Sequence, residues 1–170
     1  MTATYEKIAT TTLGSAAATV DFTSISGSYT DLVLIGNFGG SLPNESALFR
    51  VGNGSIDTGS NYSSTEIYGT GSSAASQRTG SLTSGKITYA LGVGNSVSSN
   101  CILHFQNYSN TTTYKTILGR NNSNTGTYVG TSAIVSLWRS TSAINQIRLL
   151  LSGGNYLTGS TFTLYGIKAE

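Results

Sequence analysis

Apolar and polar side chains alternate with a period of two along most of this chain, in short runs broken by glycine, serine and asparagine. That period puts successive side chains on opposite faces of an extended backbone. In Thr161-Phe162-Thr163-Leu164-Tyr165-Gly166-Ile167-Lys168, Phe162 and Leu164 alternate with threonines, the pattern of a half-buried strand. The same reading predicts strands over 5–13, 17–25, 30–38, 46–51, 61–68, 86–93, 99–108, 114–119, 128–139, 144–152 and 161–169. β-Branched and aromatic residues dominate these runs, as a pleated surface favours.

Leu32-Val33-Leu34-Ile35 is apolar on both faces and predicts a central strand covered on both sides. Ile147, Leu149 and Leu151 share one face, while Arg148 and Ser152 share the other, which Leu150 interrupts. Leu150 is therefore a candidate contact residue. A helix over 132–140 is rejected because the segment is short and rich in β-branched residues. Many short strands with glycine-rich turns predict an all-β antiparallel sandwich or barrel. The expected core includes Leu32, Leu34, Leu103, Phe105, Leu149, Phe162 and Leu164.

Two stretches fall outside the pattern. Residues 69–85 have no apolar periodicity and read as a long loop, of the kind that is functional or mobile. Within it, Gln77 and Arg78 join Leu150 as candidate interaction-surface residues. The stretch 52–60 is the next most loop-like, and no longer period repeats.

A length of 170 residues predicts one domain spanning 1–170, with a closing strand that belongs to the core and no C-terminal linker. Only 9% of residues are charged, against about 25% in ordinary globular proteins. Ser, Thr, Asn and 21 glycines replace the missing charge, a surface suited to an extracellular protein or a particle component. The net charge of +2 is too small and scattered for a nucleic-acid footprint. No run approaches the roughly 18 apolar residues of a membrane helix. The start, Met1-Thr2-Ala3-Thr4-Tyr5-Glu6-Lys7, does not read as a signal peptide. Asn-x-Ser/Thr triplets at Asn44, Asn53, Asn61, Asn107, Asn110 and Asn121 are the chance product of this composition.

Candidate chemistry is sparse. Gly80-Ser-Leu-Thr-Ser-Gly85-Lys86 has the spacing of a phosphate-binding loop, but Ile87 stands where magnesium needs a hydroxyl. A strand pattern also follows it in place of a helix. His104 is the only histidine, no Gly-x-Ser-x-Gly elbow occurs, and His104 reads as a sheet-surface or core-edge residue. Cys101 is the only cysteine and reads as a small buried side chain, and one of each is too few for zinc. The acidic residues Glu6, Asp21, Asp31, Glu45, Asp57, Glu66 and Glu170 read as solvated, and Asp57 and Glu66 carry no local sign of a catalytic pair. No catalytic residue, metal site or cofactor is expected. Asp31 is expected to cap a turn, and Tyr165 to hydrogen-bond across the sandwich.

Several of these strands resemble a family. "YEKIATTTLGSAAATVDFTSI" at 5–25, "SYTDLVLIGNF" at 28–38, "FRVGNGSIDTGSNYSSTEIYGTG" at 49–71 and "INQIRLLLSGGNYLTGSTFTLYGIKA" at 144–169 are similar to small β-rich virion structural proteins of tailed phages. The middle, 69–124, departs from that family. The resemblance implies a jelly-roll-like sandwich in a protein made in the host cytoplasm and carried on the virion. It implies a non-enzymatic role as a capsid decoration, and it carries over no site residues. The expected partners are other phage structural proteins and two further copies in a homotrimer, with 69–85 at a contact surface. The alternatives are a tail-fibre module whose exposed tyrosines, Trp138 and amide-rich loops recognise a host-surface glycan, a cell-wall hydrolase, and a monomer with a mobile loop.

Overall fold

The alternating runs fold into strands almost throughout the computed structural model, which describes residues 4–125 and 129–168. In chain order the strands are β1 (Tyr5–Thr12), β2 (Thr19–Phe22), β3 (Asp31–Phe38), β4 (Ala47–Asn53), β5 (Ser55–Ile56), β6 (Tyr62–Gly69) and β7 (Ala74–Leu82). There follow β8 (Gly85–Lys86), β9 (Ser99–Phe105), β10 (Lys115–Asn124), β11 (Val129–Trp138), β12 (Gln146–Leu151) and β13 (Thr161–Ile167). No helix occurs among the described residues. The expected strand ends Tyr128 and Ala169 lie outside the described residues.

All strand pairs are antiparallel. An eight-stranded sheet runs β1-β13-β3-β9-β10-β11-β6-β7, and a five-stranded sheet runs β2-β12-β4-β5 with β8 also on β4. The two sheets pack as a sandwich. Leu34 faces Leu164 on one side and Leu103 on the other, so one aliphatic row crosses three strands of the large sheet. The small sheet answers with Phe22, Ile147 and Val51 in one row and Val20, Leu149 and Phe49 in the next. All seven expected core residues are essentially inaccessible.

Tyrosines tie the layers together. The Tyr62 hydroxyl, from the large sheet, accepts the Val51 amide of the small sheet at 3.0 Å and donates to Asp57 O at 3.1 Å. Burial pushes its phenol up to about 12. Tyr156 donates to Leu150 O at 3.2 Å. Tyr165, expected to make such a bond, instead lies on the outer face, edge-on to Tyr5 at 6.4 Å. Alternation explains this, because its neighbours Leu164 and Gly166 are the residues that turn inward.

Two expected segments differ from the fold. Residues 69–85 are not one loop: β7 occupies 74–82 and forms an edge of the large sheet against β6. The strand expected over 86–93 shrinks to the two-residue β8, and the chain then runs irregularly beneath β10, β11 and β6. Its Ile87 and Thr88 amides donate to Ala47 O at 2.8 and 3.1 Å, and inward-facing polar side chains satisfy other backbone groups. Glu66 accepts the Ala90 amide at 2.9 Å, Asn121 donates to Ile87 O at 2.6 Å, and Ser123 donates to Gly92 O. Ser64 and Ser136, bonded to each other at 2.7 Å, both receive the Lys86 amide at 3.3 Å. A buried backbone group without a partner would cost about 1–3 kcal/mol, so these side chains are what allow an unladdered segment to lie inside.

Gly85 belongs to the same arrangement. A Cβ there would lie 2.1 Å from the Phe49 ring, so the glycine of the false phosphate-loop spacing is a packing requirement.

Adjacent β3 residues separate the two faces. Leu34 is fully buried and Ile35 is 44% exposed. Leu34→Ala is expected to lose about 2–5 kcal/mol, and Ile35→Ala about 1 kcal/mol or less, measured by urea unfolding. Equal losses would contradict the assignment of faces.

Candidate interaction surface on the outer face of the large sheet

The polar residues that β6, β10 and β11 turn inward leave their apolar neighbours pointing out. On β11, Ser132 and Ser136 are buried while Val135 is 38% exposed. On β6, Glu66 is buried while Ile67 is 62% exposed. β3 was expected to be covered on both sides, yet no second layer lies over its outer face among the described residues. Val33 is buried there only by its neighbours in the sheet.

Register aligns these side chains into two rows across the strands. One row reads Tyr165, Val33, His104, Leu118, Val135, Thr65. The next reads Thr163, Ile35, Ile102, Arg120, Ala133, Ile67. Between them lies an open trough of about 600 Å³, with Tyr5 at one end. A second depression of about 610 Å³ adjoins it beneath Ala74, Ala75 and Ser76 of β7 and shares Ile67, Arg120 and Ala133. Arg120 thus stands where the two meet.

Electrostatics on this face are one-sided. Asp31 is its only acid among the described residues. One oxygen meets His104 Nε2 at 3.0 Å, and the other accepts the Asn107 amide at 2.7 Å. Asp31 therefore caps a turn, as expected, but the turn follows β9 and is remote in sequence. Arg120 and Arg78 are exposed. The ion pairs among the described residues are His104–Asp31, Arg148–Asp21 and Lys168–Glu6, and neither arginine joins one.

The three residues singled out in the sequence do not form one patch. Gln77 turns inward and donates to Glu66 at 3.0 Å. Arg78 continues the first row, opposite Thr65, at the edge of the large sheet. Leu150 lies between Thr19 and Leu48 on the outer face of the small sheet, on the far side of the molecule. Strict alternation assigns the apolar set to the core, so the sequence pattern does not point to the trough. Serines and asparagines facing them across β6, β10 and β11 were the available signal.

Other candidate chemistry separates. Cys101 faces the core, where burial pushes its thiol up to about 12, while His104 sits on the opposite face of the same strand. Among the described residues no three His, Cys, Asp or Glu side chains gather around a metal position. Glu66 and Glu45 are buried, not solvated as expected, because each accepts loop amides: Ala90 for Glu66, and Leu42 and Gly154 for Glu45. Trp138 is only 3% exposed and donates to Asp57 at 2.7 Å, so it offers no ring for stacking on a sugar.

Asp57 also accepts from Asn61 and from the Gly59 amide, both at 2.8 Å. Burial pushes its carboxyl upward, but these bonds outweigh burial and hold it below the usual carboxylate value. A depressed folded pKa contributes stability above the unfolded value of about 3.9 that is lost as pH falls through the folded value. Asp57→Asn is therefore expected to lose less stability than the native chain between pH 7 and pH 3, by urea midpoint. Identical losses would contradict this role.

Comparison with protein-family models, with curated proteins and with solved structures finds no match to this chain.

Proposed function

We propose that this chain is a non-enzymatic structural protein of a phage particle, a capsid decoration assembled as a homotrimer. The observation that carries the reading is the uncovered outer face of the large sheet. Tyr5, Ile35, Ile67, Ile102, Leu118 and Val135 are 38–62% exposed there. Contiguous apolar surface of this kind marks a docking site.

The strand order supports a jelly roll, the architecture of many capsid and lectin domains. Setting aside β5–β7 and β10–β11, eight strands remain. The first pairs with the last, the last with the third and the third with the sixth in one sheet. The second pairs with the seventh, the seventh with the fourth and the fourth with the fifth in the other. That order supports the jelly-roll reading. The two insertions extend one sheet by β10, β11, β6 and β7, and that extension carries half of the outer face.

The homotrimer rests on β7. This edge strand bares one row of amides and carbonyls, and Arg78 is the only charge in 69–85. Edge strands with so little charge invite pairing. Three-fold symmetry lets this strip meet a different strip on the neighbouring copy. The other partners are particle proteins. The protein acts on the virion, with no nucleic acid or membrane and no cofactor in its role. The burial of Trp138 removes one of the rings on which the glycan-binding alternative relies.

Quantitative mass spectrometry of purified particles carrying this gene is expected to find the protein in high copy number. Recovery only outside particles would overturn the reading. Purified protein is expected to sediment as a trimer at micromolar concentration, and Ala75→Lys on the edge strand to shift it toward monomer. A monomeric native chain would overturn the trimer.

A further inference from the structure

The trough has a chemistry of its own beyond being apolar. Its floor is mostly aliphatic, with Ile102, Leu118, Val135 and Ile67 around Arg120, and its rings, Tyr5 and His104, lie toward one end. Its charge is positive and unanswered. Arg120 and Arg78 make no side-chain hydrogen bond or ion pair among the described residues, and the same holds for Lys7, at the far end of the first row. The one acid on the face, Asp31, is already held by His104 and by the Asn107 amide.

We propose that this face docks an acidic, aliphatic-rich segment of another protein, with Arg120 receiving its carboxylate. The proposal rests on the docking reading above and names the chemistry of the partner.

Charge and shape choose among occupants. A second copy packed face to face would bring Arg120, Arg78 and Lys7 against the same cations, and like charges brought together cost several kcal/mol. A glycan stacks on aromatic rings, and the floor is mostly aliphatic. An acyl chain would lie half in water, because the trough is open along its length. A protein segment satisfies both features at once. A guanidinium binds a carboxylate through two parallel hydrogen bonds, and flanking Leu, Ile or Val side chains cover the aliphatic floor. The scale also fits. From β3 to β6 the face spans four inter-strand steps, about 19 Å, and about six extended residues cover that distance. The carboxylate then sits near the middle, over β10.

The test uses the full purified chain and three end-blocked hexapeptides, alternating Leu with Glu, Leu with Gln, and Leu with Lys. Decanoate serves as the probe for a free acyl ligand. Binding is measured by calorimetry at low and high salt. The Leu/Glu peptide is expected to bind at least tenfold more tightly than the Leu/Lys peptide, and less tightly at high salt. Arg120→Glu is expected to reverse that preference, and Arg120→Lys to retain part of it. Ile102→Asp is expected to abolish binding. Both sites are on the surface, so circular dichroism and thermal unfolding check that each variant is folded.

No binding of the Leu/Glu peptide at millimolar concentration would overturn the proposal, as would binding unchanged by Arg120→Glu. Tighter binding of decanoate than of any peptide would assign the trough to an acyl ligand instead. A change in self-association caused by Arg120→Glu would assign it to a second copy. Because none of these outcomes alters the copy number on particles, failure here is distinguishable from failure of the virion reading.

Discussion

A stretch of irregular backbone, residues 86–92, lies inside this sandwich, and much of the structure follows from how it is satisfied. Buried amides and carbonyls need partners, and this segment has a ladder only at β8. Ala47 O takes the Ile87 and Thr88 amides, and side chains serve the rest: Glu66 for the Ala90 amide, Asn121 for Ile87 O, Ser123 for Gly92 O, and Ser64 with Ser136 for the Lys86 amide. The inward face of the large sheet is therefore apolar over β13, β3 and β9 and carries polar side chains among apolar ones over β10, β11 and β6. Burial also lowers the pKa of the Lys86 ammonium, while the nearby Glu66 opposes that shift. The Lys86 Nζ lies 4.9 Å from the centre of the Tyr89 ring.

The outer face inherits the complement. Where Ser132, Ser136 and Glu66 occupy the inward positions, strand alternation turns Val135 and Ile67 outward. The apolar trough and the buried polar network are the same alternation seen from its two sides. A docking surface made this way needs no separate loop. It also lies on paired strands, which lowers the ordering cost of binding.

How much of this the sequence disclosed depended on which face was apolar. Leu32, Leu34, Phe162, Leu164 and Leu149 were readable as core because hydrophobic alternation there faces the interior. β7 was hidden because Ala74–Leu82 has neither bulky nor β-branched character beyond Thr79 and Leu82. Edge position and pairing with β6 make it a strand, and propensity does not. β10 was cut short at Gly119 because Asn121 and Ser123 resemble a turn, though their inward bonds to 87–92 extend the strand to Asn124. The trough was invisible for the same reason. Arg78 was identified from composition alone, and its place at the end of a cross-strand row depends on register that only the fold supplies.

The most direct test of the account is amide hydrogen exchange along 86–93. These amides belong to no strand beyond β8, yet Lys86 and Ala90 donate to buried side chains, and Ile87, Thr88 and Val93 donate to backbone carbonyls. They are expected to exchange as slowly as the amides of β10 and β11, and Glu66→Gln to speed exchange at Ala90 in particular. Exchange as fast as in the exposed turn at 70–73 would contradict the account, because the polar inward face would then have nothing to hold.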